Sequence, residues 1–343
     1  MAASINNSAW LKWITALVGG QSRQAQAAAF PPDRFYCLLD ELPLHLVPRR
    51  TVRAMRAWRD EELFLNPECM VREAEDLPEE FATRTDLLSG FALQGTIAWV
   101  RQAASGSLLP FWLGPEFDRV VGELRPGELV PHSLPADARY ALAAAGVFIP
   151  DGAASTERQQ MIESATVPFR QKGYAPLSSL IHPFHVAALR RYYRHLIRTG
   201  AIDLGDRQSP RRYVAHNEPV ARFFHHLIAP TLSVVAGDSL KPSYVYMASY
   251  LSGAELKKHT DREQCEFSIT VCLDFSPEPA LATPWPIRLD TQSGTVIVHQ
   301  ALGDGLAYRG TRLPHYRGPL GEGQTSTSIF FHYVSADFTG TLN

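Results

Sequence analysis

From Ser243 to Val334 the sequence runs in short bursts of alternating polarity broken at Gly and Pro, and a period of two belongs to β-strands. SYVYMASY, FSITVCLDF, WPIRL, GTVIVHQ, GDGLAYRG, LPHYRG and TSTSIFFHYV give about seven such segments. Two helical patterns come before them. PFHVAALRRYYRHLIRTG carries Val186, Leu189, Tyr193 and Leu196/Ile197 on one side, and Pro219–Val235 follows. Short strands led in by helices predict an all-β sandwich or barrel braced by helices on one side.

Within this region YLSGAELKKHTDREQCEFSITVCLD holds His259 and Asp261. On a strand, residues i and i+2 share a face, so an imidazole and a carboxylate can meet at one point. A histidine from a distant strand, with His315 the candidate, would complete a two-histidine, one-carboxylate set that leaves positions open on a ferrous ion. The pair alone says little, since 12 His and 35 acidic residues supply about one His-x-Asp/Glu by chance. A second instance, His216-Asn217-Glu218, reads as a helix start with Asn217 as N-cap and Glu218 and Pro219 in the first turn. On a helix, i and i+2 diverge by about 200°, so that pair cannot chelate and His216 is read as structural.

With 343 residues, 45% hydrophobic content and a net charge of −2, the chain has material for a large core. It offers no charge excess for nucleic acid or an anionic membrane. Arg190, Arg191, Arg194 and Arg198 are read as a solvated helix face. Cys37, Cys69, Cys265 and Cys272 are scattered without a Cys-x-x-Cys, which suits a reducing cytoplasm. The apolar run Trp10–Val18 is interrupted by Lys12 and preceded by no basic residue, unlike a signal peptide, and is too short to span a bilayer. A cytoplasmic location is expected. Residues 31–165 read as helical: Thr51–Leu63, Leu87–Ala104, and DARYALAAAGVF stopped by Gly146. They are taken as an arm that packs on the second half or caps its substrate.

Tyr250-x-x-Gly253-x-x-Leu256-x-x-His259-x-Asp261 resembles the metal-binding strand of the prolyl-4-hydroxylase-like branch of the Fe(II)/2-oxoglutarate-dependent oxygenases. GDGLAYRG resembles the strand before that family's distal histidine; His315 then precedes Pro319 and Gly323 at the family's offsets, and SIFFHYV resembles its closing strand. The resemblance covers roughly residues 240–338. It implies a double-stranded β-helix (jelly roll) fold. With the helical patterns read above, the chain is expected to be α+β: an oxygenase domain with its leading helices over 166–343, preceded by a mainly helical region of unknown role over 1–165, which the resemblance does not reach. The resemblance also implies that His259, Asp261 and His315 hold Fe(II), that 2-oxoglutarate and O2 are cosubstrates, and that succinate and CO2 are released. Asp261 disfavours halogenation, because related halogenases lack that carboxylate.

One position departs from the pattern. The family places Lys or Arg ten residues after the distal histidine to hold the far carboxylate of 2-oxoglutarate, and here that position is Thr325. His315 and Arg317 share parity, so Arg317 can face the interior, and a turn over Gly318–Gly323 would set Thr325 opposite it. Arg317, with Thr325 or Thr327 hydroxyls, is the expected anchor, and Arg288 and Arg309 are the alternatives. Tyr250 matches a family tyrosine that hydrogen-bonds the cosubstrate, and Tyr244 shares its parity; either is otherwise a core aromatic. Ser268, Thr270 and Cys272 form the polar face of their strand, turned to the pocket or to solvent. Arg262, Glu263, Gln264 and Glu266 follow at the mouth, while His299 and His332 are read as structural. The expected function is an oxygenase, by default a hydroxylase, of an amino acid, peptidyl residue or small metabolite. The alternative is a non-catalytic jelly-roll metal- or ligand-binding protein or sensor.

Overall fold

The computed structural model describes residues 30–49, 62–102, 106–150 and 156–342. Trp10–Val18 and nearly all of the helix expected over Thr51–Leu63 lie outside these residues; Leu63 itself opens a short strand, Leu63–Leu65.

All seven strand-patterned segments of the second half are strands. They join further short strands in two sheets. The larger has seven strands in the spatial order Tyr174–Leu177, Gly305–Tyr308, Phe267–Ser276, Thr325–Ser335, Leu240–Tyr250, Arg212–His216 and Asp203–Leu204. The smaller runs Leu256–His259, His315–Arg317, Ile287–Thr291 and Gly294–Val298. Every ladder in both is antiparallel. One cavity is lined by side chains of both sheets, so the sheets face each other across it.

The interior strand Phe267–Ser276 is buried on both faces. Ser268, Thr270 and Cys272 are enclosed with the rest, which removes the solvated-face reading of its polar side. The apolar side meets helices: Phe267 stacks on Phe169 of helix Thr156–Lys172. Helix Pro183–Arg198 packs on the same strand. Helix Pro219–Ala236 lies against Leu240–Tyr250 and ends at Gly237, whose φ of 71° places it in the left-handed region that closes helices.

The start of that last helix differs from expectation. His216 ends a strand, Asn217 takes a φ of 49°, and Glu218 is the N-cap. Its carboxylate accepts from the backbone N–H of Val220 and Ala221 and from the hydroxyls of Tyr192 and Tyr193. Glu218 is therefore consumed by the fold and does not face His216.

Among the described residues, the first half is less helical than its sequence suggests. Ala136–Ala145 is a helix stopped at Gly146 with φ 80°, as expected. The span 87–102, the described part of the helix expected over Leu87–Ala104, is not. It holds one 3-10 turn, Thr85–Leu88, and then strand Thr96–Arg101, sheeted with Cys69–Glu73 and Leu108–Leu113. The helical spacing there was coincidental. β-branched Thr96, Ile97 and Val100 beside Trp99 favour a strand, and Gly95 at φ 69° turns the chain into it. Phe35 meets Phe91, Trp112, Tyr192 and Phe224 edge-on, so the two halves share one aromatic core.

Of the arginines of helix Pro183–Arg198 read as a solvated face, Arg194 and Arg198 are exposed, while Arg190 is buried and Arg191 half-buried. Arg190 is 3% exposed and donates to Asp274, Glu278 and the Leu46 carbonyl. Arg194 also donates to Asp274, and Arg191 lies 3.5 Å over the Tyr36 ring. Helical periodicity shows which side chains share a face; it does not show that another segment will cover that face. Losing one member of a buried ion cluster strands its partners. Arg190→Ala should therefore lower unfolding stability by about 3–5 kcal/mol. Removing the exposed Arg222–Asp86 pair should change it by under about 1 kcal/mol. Denaturant midpoints of the two variants check this contrast.

Candidate metal centre

The strands Leu256–His259 and His315–Arg317 pair antiparallel with His259 opposite His315. The two rings stand 4.4 Å apart between centroids. Asp261 lies just past its strand, held by its N–H donating to the Gly310 carbonyl. Its Oδ1 is 3.6 Å from His259 Nε2 and 3.5 Å from His315 Nε2. Ligand atoms of all three residues lie within 4.8 Å of one another.

The outer nitrogens decide what this cluster can do. His259 Nδ1 is 2.7 Å from the Lys257 carbonyl and His315 Nδ1 is 3.0 Å from the Leu313 carbonyl. A carbonyl only accepts, so both Nδ1 atoms carry a proton and both Nε2 atoms are turned to the carboxylate. The Asp261 carboxylate, by hydrogen bonding, raises His259 above the ordinary imidazole value. With that proton displaced, two imidazole nitrogens and a carboxylate are the donor set of a divalent cation, with ring orientation fixed from behind. Burial opposes ionisation of Asp261, yet hydrogen bonding to His259 and the fields of His315 and His332 keep its carboxyl below the ordinary range. Burial pushes His315 down, favouring the neutral ring that a metal requires.

The cluster opens on a cavity of about 550 Å³, within the range of small-ligand pockets. Tyr244, Tyr246, Tyr250, Phe330 and His332 wall it on the large sheet, Leu256, His259 and His315 on the small one. Arg262 sits over the Tyr244 ring at the mouth, as its position after the metal strand suggested. Asp206 and Arg212 pair with each other at the other side, and Arg212 donates to the Tyr250 hydroxyl.

Arg317 lies two residues along the strand from His315, level with Leu256. It is fully enclosed; its guanidinium donates to the Trp285 carbonyl and Gln300 Oε1, and its Nε has no partner. Among the described residues no carboxylate pairs with it. Thr270 Oγ1 and Ser328 Oγ are likewise buried without partners. Of the other arginines considered from sequence, Arg288 pairs in register with Tyr316 on the outer face, and Arg309 lies on the Phe169 and Phe267 rings.

Thr325 is a correction. The turn after Arg317 carries the chain into the opposite sheet, so Thr325 pairs with Ser276 and is exposed. Thr327 faces away from the cavity and donates to Ser249. Interior parity on that strand belongs to Ser326, Ser328, Phe330 and His332. His332, read as structural from sequence, lines the cavity with His216, Arg212 and Tyr308. The parity of Phe330 and His332 was the available signal for that wall. Arg212 had none, since its strand joins the sheet only through tertiary pairing.

These side chains define a two-histidine, one-carboxylate candidate metal centre between two antiparallel sheets. No protein-family model and no curated protein matches the chain. Solved structures do. The α-ketoglutarate-dependent epimerase SnoN from nogalamycin biosynthesis is 15% identical with a TM-score of 0.44, over 52% of this chain and 84% of that one. A Pseudomonas putida prolyl-4-hydroxylase is 15% identical with a TM-score of 0.43, over 51% and 99%. AviO1 from Streptomyces viridochromogenes Tue57 is 19% identical with a TM-score of 0.42, over 55% and 100%. Among the described residues no helix is long and apolar enough to cross a membrane.

Burial lowers His332 to about 4 and the neighbouring His225 to about 3. Both are neutral when folded, so the unfolded chain binds more protons below the ordinary imidazole value. Their contribution is complete above about pH 6.5 and is lost as pH falls towards their folded values, on the order of 2 kcal/mol each by about pH 5. Urea midpoints at about pH 7 and about pH 5 check it, with the lower midpoint expected in acid.

Proposed function

We propose that the chain is an Fe(II)- and 2-oxoglutarate-dependent oxygenase, built on a double-stranded β-helix, that hydroxylates an amino acid, a peptidyl residue or a small metabolite. One observation carries this reading. Two imidazole Nε2 atoms and a carboxylate oxygen converge, and two residues along the strand from one of them lies a buried guanidinium that has no carboxylate partner among the described residues. A buried cation without an anion is costly, and a diacid cosubstrate would supply the anion.

In this reading His259, Asp261 and His315 hold the metal. Bound there, Fe(II) supplies the redox chemistry that couples O2 and 2-oxoglutarate to substrate oxidation. The reaction balances as substrate C–H plus 2-oxoglutarate plus O2 giving substrate C–OH, succinate and CO2. Arg317 is about 6–7 Å along the strand from His315, which suits a five-carbon diacid reaching from the metal to the guanidinium. The unpartnered Nε of Arg317 and the hydroxyls of Thr270 and Ser328 are donors free to take that far carboxylate. Tyr250, held by Arg212, and Leu256 shield the space between them from water. Tyr244 and Arg262 stand on the substrate side, and the described residues of the first half brace the helices behind the large sheet.

Metal-free protein loaded with Fe(II) and 2-oxoglutarate should form succinate, faster with a productive substrate. Asp261→Ala should abolish both metal uptake and turnover. Metal and 2-oxoglutarate binding with no succinate over a broad substrate panel would favour the non-catalytic sensor instead. Arg317→Met should weaken 2-oxoglutarate by at least about 30-fold, from roughly 2 kcal/mol lost at a buried charge pair. Thr325→Ala should leave that affinity unchanged. Calorimetric titration under argon reads both variants.

A further inference from the structure

We infer that Ser268 and His332 are positioning residues that hold Asp261 by one oxygen so that it offers only the other to the metal. This rests on the metal-centre reading above. Both imidazole Nε2 atoms face Oδ1 of Asp261, at 3.6 and 3.5 Å. The other oxygen, Oδ2, is 3.0 Å from Ser268 Oγ, and Ser268 Oγ is 2.9 Å from His332 Nδ1. Ser268 and His332 are directly opposite in the ladder between their strands, and both are buried.

The proton placement follows from chemistry. Ser268 Oγ has one hydrogen. Its neighbours include two groups that only accept, Asp261 Oδ2 and the Cys265 carbonyl at 3.3 Å. The hydroxyl is given to the nearer and charged acceptor. The nitrogen at 2.9 Å must then be the donor, so His332 carries its proton on Nδ1 and leaves Nε2 bare. The chain of donors runs His332 to Ser268 to Asp261. Gly310 closes it from the fourth side: a Cβ there would collide with Oδ2, the Cys265 carbonyl and Ser268 Oγ. Tyr244 lies against the His332 ring at 4.6 Å, tilted by 35°, and its hydroxyl meets Cys265 Sγ at 3.1 Å, which limits the movement of the ring.

The consequence is coordinative. A carboxylate free to rotate can take a cation through both oxygens and use up a position that a chelating cosubstrate needs. With Oδ2 committed to Ser268, Asp261 supplies a single ligand atom and its orientation is set before metal arrives.

The test is Co(II) titration of the metal-free full-length chain, reading both affinity and the visible ligand-field absorption. Ser268→Ala and His332→Phe are expected to weaken Co(II) by about 10–100-fold and to shift the band. His332→Asn, whose side-chain amide nitrogen can stand where Nδ1 stood, is expected to restore both. Far-UV circular dichroism tracks folding, and the His332 pair reads the same linkage if Ser268→Ala does not fold. Unchanged affinity and band in folded Ser268→Ala, or equal loss in His332→Phe and His332→Asn, overturns the proposal. So does a second Co(II) equivalent lost on Cys265→Ser, which would make His332 a ligand. Wild-type chain that takes up no Co(II) overturns the metal-centre reading itself, and this linkage with it.

Discussion

The short ladder between Leu256–His259 and His315–Arg317 is the contact on which the site depends. Its register sets His259 against His315 and Leu256 against Arg317. A slip of one residue would turn one strand's side chains to the other face and separate the imidazoles. The ladder is too short to hold itself. It is fixed by Ile287–Thr291, whose Leu289 sits opposite His315, and by Trp285, which donates to the Gly318 carbonyl.

Behind that ladder the interior is unusually polar. Ser268, Thr270, Ser326, Ser328, His332, Gln300 and Arg317 are all buried between the sheets. An apolar filling would be cheaper for stability alone, since each buried polar group must recover its lost hydration. Most of these groups find protein partners. Those that do not, Arg317 Nε with Thr270 and Ser328 hydroxyls, lie on the inward parity of their strands. These groups are on the faces of the large sheet and of the small-sheet strand that point between the two sheets, while the helices cover the opposite, apolar side of the large sheet.

The helical layer contributes through electrostatics as well as packing. Asp274, at the far end of the strand that carries Ser268, takes Arg190 and Arg194 from helix Pro183–Arg198. The same Arg190 reaches Leu46 and Glu278. The first half of the chain is therefore tied to the large sheet by charge at one place and by the aromatic cluster around Phe35 at another. That arrangement fixes the sheet whose inner wall forms half the cavity.

Local pattern determined the strands from Ser243 to Val334, the helices at Pro183 and Pro219, and the convergence of His259 and Asp261, because period and turn chemistry are properties of neighbouring residues. It also put Arg317 inward, by parity with His315. Sequence could not tell that the turn after Arg317 crosses to the opposite sheet, which moved Thr325 to the surface and gave its expected place to Ser326 and Ser328. Nor could it show that Arg190 is covered, that Glu218 is spent on a helix cap, or that His332 reaches Asp261 through Ser268. Those are facts about which strand lies beside which. Pairing partners distant in the chain are chosen by the global minimum of buried area and satisfied hydrogen bonds, and only the folded molecule computes that sum.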